Sequence, residues 1–178
     1  MNRTNNFIFT GLQIVAWIIF VGLSVEAGGL LVNFFFSLFK PEVIPKLYQR
    51  LDLIPIYRES ILVFLGIYAF ILSISLLKVL LFYLVIRMMY KMKLTSPFNT
   101  FVSAQILNIS YCTLSIGILS FIARQVSKKM EYYGLESSQL HSFWEDSQAF
   151  ILMGAVIYII AIIFKKGVEL QDENDLTV

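Results

Sequence analysis

Four apolar runs divide the chain. The first extends from Phe7 to Phe39 and is interrupted by Glu26 and the Gly28-Gly29 pair. The second, Ile61 to Ile86, is interrupted by Lys78; the third, Phe101 to Ala123, carries no charge; the fourth, Ser147 to Phe164, is shorter and unbroken. A helix rises about 1.5 Å per residue, so about 20 apolar residues cross the hydrocarbon of a bilayer. A membrane barrel strand needs only about 9–11 residues and alternates polar with apolar positions. These runs are longer and do not alternate, and a spanning helix satisfies its own backbone in lipid. The pattern predicts an all-α fold, an integral membrane four-helix bundle. The spans fall at about 7–33, 61–87, 101–123 and 147–164. Residues 165–178 follow as a charged tail.

The first run is too long for one upright span. Either the helix stops at Gly28-Gly29 and "LLVNFFFSLF" lies at the interface, or a single tilted helix uses the whole length. "VEA" at Val25–Ala27 loosely resembles a signal-peptide cleavage site, but the apolar stretch before it is too long and Arg3 is its only basic flank.

The polar connections add detail. The first is punctuated by Pro41, Pro45 and Pro55. Leu47, Leu51 and Ile54 recur there at helical spacing with Lys46 and Arg50 among them, which suits an interfacial segment lying on the membrane surface. A plain loop fits equally well. In the second, Ser96 followed by Pro97 is a helix-start signal, a capping hydroxyl and then proline at the first helical position. In the third, from Arg124 to Asp146, Tyr132, Tyr133 and Trp144 suit an interfacial aromatic belt.

Composition agrees with a membrane setting. The chain of 178 residues is 58% hydrophobic and only 15% charged, where soluble domains carry about 25% charge. A net charge of +2, with its basic residues scattered, excludes a dense nucleic-acid-binding face. One cysteine, Cys112, and one histidine, His141, build neither a disulfide nor a structural zinc site within the chain. Four spans place both termini on one side. That side holds Arg3, Arg87, Lys91, Lys93, Lys165 and Lys166; the other holds Lys40, Lys46, Arg50, Arg58, Arg124, Lys128 and Lys129. The totals nearly balance. The dense basic "RMMYKMK" beside a helix end and Lys165-Lys166 beside another favour cytoplasmic termini.

Charges inside hydrocarbon are functional candidates by default. Glu26 and Lys78 qualify. By helical rise they differ in depth by about 15 Å, beyond salt-bridge reach unless the helices are offset. The competing expectation is that Lys78 snorkels toward the cytoplasm and Glu26 sits at the outer interface. In the third run Gln105, Asn108, Cys112 and Ser115 recur three and four apart and share one helix face. Such a face either packs helices together or lines a polar path. "NIS" at Asn108 matches a glycosylation acceptor but lies in hydrocarbon. His141 has Glu145 four residues on but no nucleophile beside it. No catalytic or cofactor motif is present, so neither an enzyme nor a cofactor is expected. Lys165-Lys166 fit a helix C-terminus. Glu169, Asp172, Glu173 and Asp175 after them suit a solvated tail or a surface for a basic partner.

"FKKGVELQDENDLTV" resembles the closing signature of the small bacterial membrane proteins grouped as domain of unknown function 2975: a basic pair, Gly, "ELQ", acids and "NDLT" before an aliphatic residue. "SPFN" at Ser96–Asn99, after "RMMYKMK", resembles that family's basic-then-Pro-Phe entry to its third span. The sequence departs afterwards: relatives often carry charges there, and "TFVSAQILNISY" has none. The resemblance implies a multi-pass protein of a bacterial cytoplasmic membrane with no established reaction. It implies a regulatory role beside a small helix-turn-helix DNA-binding regulator, with the chain itself contacting lipid and that partner rather than nucleic acid. Residues 165–175 would be the docking element, with Arg87, Lys91 and Lys93 on the same face. A small-solute or ion transporter using Glu26, Lys78 and the polar third span, including as an oligomer, is the alternative.

Overall fold

A computed structural model describes residues 3–39, 53–92, 98–132 and 140–175. All regular structure among them is helical. Four long helices, α1 (Arg3–Phe39), α3 (Ile61–Lys91), α4 (Thr100–Tyr132) and α6 (Ser147–Asp175), are joined by the short α2 (Ile54–Glu59) and α5 (His141–Trp144). The four are long and apolar enough to cross a membrane. Their outer faces expose Ile18, Val25, Phe35, Leu62, Leu152, Ile159 and Ile163, each more than half accessible. A soluble monomer rarely leaves so continuous an apolar surface in water. The chain is a multi-pass membrane protein with an all-α four-helix fold.

α1 runs unbroken through Gly28-Gly29, so the glycines are no stop. Each interior glycine costs about 1 kcal/mol of helix propensity relative to alanine. Opening the backbone in lipid would strand polar groups at several kcal/mol each, so the helix wins. The same pressure hides hydroxyls: Ser24 Oγ donates to Phe20 O at 2.7 Å, Ser37 Oγ to Asn33 O at 2.7 Å, and Thr113 Oγ1 to Ile109 O at 2.8 Å.

Each long helix packs antiparallel on its neighbour in sequence: α1 on α3, α3 on α4, α4 on α6. α4 is central and α1 peripheral: half of the most apolar window of α4 is buried, against 6% for α1. α1 is tied to α3 by Tyr68, whose hydroxyl donates to Leu30 O at 3.1 Å, and by the ring contact Phe34–Tyr68 at 5.1 Å. α3 meets α4 where Cys112 Sγ donates to Leu77 O at 3.4 Å.

α4 and α6 approach most closely, and small residues allow it. Ser147, Gly154, Ala161 and Val168 are buried at intervals of seven along α6. Ser103, Ser110 and Gly117, with Thr113, Ser120 and Ser127, keep the same interval on α4. In lipid, packing of close backbones and interhelical hydrogen bonds hold helices together. Here Ser110 Oγ donates to Gly154 O at 3.0 Å. A Cβ at Gly117 would lie 2.7 Å from Ile151 N, and one at Gly154 would lie 2.9 Å from Leu114 N.

The bundle thus has a terminal end, with the start of α1, the α3–α4 connection and the end of α6. The opposite end carries α2 and α5. There Leu53 and Ile56 pack with Met130, Leu140 and Trp144 in the main core. α4 continues through Arg124 to Tyr132, where the sequence suggested a loop, because Ala123, Ser127 and Met130 prolong its buried face. Trp144, expected in an aromatic belt, is instead 1% exposed and enclosed by this cap. Tyr132 is outward and Tyr133 lies outside the described residues. The surface helix expected around Leu47, Leu51 and Ile54 falls largely on residues 40–52, also outside them; Ile54 opens α2.

Candidate functional site

The charged segment after Phe164 is a continuation of α6, which ends at Asp175. Lys165-Lys166 read as a helix end in the sequence, yet the helix passes through them and through Gly167. Val168 extends the buried seven-residue series one step further. Lys166 Nζ lies 3.4 Å from Glu169 Oε2 across one turn. Gly167 lets its neighbour sit close, since a Cβ there would meet the Phe98 ring at 2.9 Å and the ring would have to shift. That ring also packs on Phe164, centroids 5.0 Å apart. The start of α4 therefore braces the first turn of the extension. The brace joins the "SPFN" and "FKKG" segments that carry the family resemblance.

α4 itself starts with a cap. Asn99 Oδ1 accepts from Val102 N at 2.9 Å, satisfying one of the free amides of the first turn. Ser96 and Pro97, the expected start, lie outside the described residues.

From Phe164 to Asp175 the helix advances about 16 Å at 1.5 Å per residue. Residues 169–174 are all exposed, including Leu170 at 65%. Glu169, Asp172 and Glu173 crowd the last turns, Asp175 closes the helix, and no basic residue sits in the final turn. Carboxylates at a helix C-terminus oppose its dipole by about 0.3–1 kcal/mol each. A cationic surface laid against this end would relieve that opposition.

The predicted cations sit at the same end of the bundle. Arg87 Cζ and Lys91 Nζ lie 5.7 and 4.7 Å from the Phe101 ring centroid. Lys93 is outside the described residues. Phe98 and Phe101 thus hold the acidic extension of α6 on one side of α4 and the cations of α3 on the other. No protein-family model, curated protein or solved structure matches this chain. The resemblance to domain of unknown function 2975 therefore stands on its quoted residues alone.

The intramembrane polar residues do not form one array. Lys78 is half-buried, with Nζ 5.9 Å from the Phe150 ring centroid. Phe150 is in the first turn of α6, so Lys78 leans toward the α5 end and not toward the termini. A helical side chain tilts toward its own N-terminus, which for α3 is that end. An aromatic face offsets part of the desolvation of the ammonium. Glu26 is half-buried on α1. On α4, Gln105 and Cys112 are buried while Asn108 and Ser115 are exposed, so their shared face straddles the packing edge. Gln105 Oε1 is buried without a hydrogen-bond partner. Away from the membrane core, His141 Nε2 donates to Glu131 Oε1 at 2.7 Å, so its partner is on α4 and not Glu145.

Two grooves escaped sequence reasoning. One, about 400 Å³, lies between α4 and α6 and reaches from Tyr111 and Tyr158 to Lys165. The other, about 280 Å³, lies between α1 and α3 beside Trp17 and Tyr83. Each depends on residues far apart in sequence, so no local spacing announces it.

Proposed function

We propose that this protein is a membrane-anchored interaction partner whose α6 extension docks a basic protein surface. The carrying observation is a helix that leaves the bundle as a continuation of a span. It is braced by Phe98 on Gly167, and its residues 169–174, with the acids Glu169, Asp172 and Glu173 among them, are all exposed. Prolonging a span makes the docking element stiff, so less conformational freedom is lost on binding. In this reading both termini face the cytoplasm of a bacterial cell. The partner is a small helix-turn-helix DNA-binding regulator, the class implied by the resemblance of the tail. Its basic surface would bind either DNA phosphates or the acids of α6, so membrane sequestration and DNA binding would compete. Charge pairs of this kind raise association rates and weaken as salt rises.

The test is co-purification from detergent of the full chain, of a chain ending at Val168, and of an Asp172→Lys, Glu173→Lys variant. Ending at Val168 keeps the Phe98 brace. A basic DNA-binding protein should be retained by the full chain at low salt, released at high salt, and lost from both variants. A partner list unchanged by either alteration overturns the proposal.

A further inference from the structure

We infer that the groove between α1 and α3 at the terminal end is a binding site for an anionic glycerophospholipid, with one acyl chain in the groove and the phosphate against Arg87 and Lys91. Trp17 and Phe20 of α1 and Tyr83 and Ile86 of α3 form its walls. Arg87 and Lys91 close it on the side where α3 ends. The groove opens outward, and Trp17, Tyr83 and Tyr90 on its rim are 42%, 48% and 65% exposed. Trp17 Nε1 donates to Tyr90 Oη at 3.3 Å, which sets the rim beside the turn of α3 that carries Arg87 and Lys91. An apolar slot that ends in cations just where α3 leaves its apolar run matches a lipid, whose chain and phosphate are joined in that order.

The cations are available for it. The Phe101 ring fixes both from one side. A cation held over a ring face keeps the N–H donors that point away from the ring for phosphate oxygens. No acidic residue occurs between Arg87 and Asn99, and among the described residues no carboxylate pairs with Arg87 or Lys91. Zwitterionic lipid would fill the slot, but its own ammonium would oppose these charges. Each cation near the headgroup plane favours anionic lipid by about fivefold. This site lies on the α1 side of α3, across the start of α4 from the acids of α6, and does not depend on their docking role.

The chain has two tryptophans, Trp17 and Trp144, and Trp144 is buried in the opposite cap. In vesicles of phosphatidylcholine, Trp17 fluorescence of a Trp144→Phe protein would be followed while brominated phosphatidylglycerol or brominated phosphatidylcholine is titrated in. Half-maximal quenching should need at least fivefold less of the anionic lipid. Arg87→Gln with Lys91→Gln should erase that preference while leaving quenching by brominated phosphatidylcholine unchanged. Equal quenching by the two lipids refutes the site, as does a preference that survives both neutralisations. Absence of quenching by either lipid would mean a second copy covers the groove and would equally overturn it. Should Trp144→Phe fail to fold, lipid retained by the wild-type chain in native mass spectrometry gives the same comparison.

Discussion

Alanine at Gly117 should destabilise the protein, while alanine at Gly66 should stabilise it. In an open helical position the change gains about 1 kcal/mol of propensity. Gly66 on α3 is such a position, with nothing within 4 Å of the added Cβ. At Gly117 the new Cβ would lie 2.7 Å from both Cγ1 and the backbone nitrogen of Ile151. A side chain can turn away; a backbone nitrogen in the second turn of α6 cannot. The two helices must separate, and overpacking of this kind costs about 1–3 kcal/mol. Separation also stretches the 3.0 Å bond from Ser110 to Gly154 O, where interhelical bonds in membranes average about 0.6 kcal/mol. Against the propensity gain, Gly117→Ala should lose about 0–2 kcal/mol, leaving the two variants about 1–3 kcal/mol apart. Unfolding in mixed micelles with rising dodecyl sulfate, followed by circular dichroism, reads the difference. If Gly117→Ala proved as stable as Gly66→Ala, the close approach of α4 and α6 would be refuted.

Other substitutions address single contacts. Ser110→Ala should cost about 0.6 kcal/mol in the same titration, and no loss would mean the bond to Gly154 O contributes nothing. Tyr68→Phe removes the hydroxyl that meets Leu30 O and should lower stability by about 1 kcal/mol; an unchanged midpoint would contradict the tie between α1 and α3. Asn99→Ala removes the α4 cap, for about 1 kcal/mol, and hydrogen exchange should quicken first at Val102. Asp172→Asn relieves charge opposing the α6 dipole, so exchange in the last turn of α6 should slow; faster exchange would argue against a continuous helix there.

The spans were legible because lipid leaves a long apolar run few options. Their ends were not. Apolarity marks where a helix lies in hydrocarbon, not where its hydrogen bonds stop, so α4 past Ala123 and α6 past Phe164 read as loop and tail. Gly28-Gly29 and Gly167 carry the local signal of a helix end, and tertiary packing or lipid overrides it at both. The seven-residue series Ser147, Gly154, Ala161, Val168 was present in the sequence as a packing signal. It is visible only when small residues, not apolar ones, are counted. Trp144 was misplaced because it is positioned by a distant element, the end of α4, and the lean of Lys78 toward Phe150 likewise depends on a distant helix. Of the candidate site, the acids of α6 were evident from composition. The brace of Phe98 on Gly167 joins residues 69 positions apart and needed the fold.

Spin-label accessibility offers the most direct check that the exposed apolar faces meet lipid while the α6 extension meets water. Labels at Ile159→Cys and Asp172→Cys, in a Cys112→Ser background reconstituted in vesicles, would be compared by power saturation with oxygen and with a water-soluble nickel chelate. Ile159 should be relaxed by oxygen and ignored by the chelate, and Asp172 the reverse. Relaxation of the Ile159 label by the nickel chelate, at a rate similar to that at Asp172, would place the outer face of α6 in water and contradict a membrane-spanning bundle.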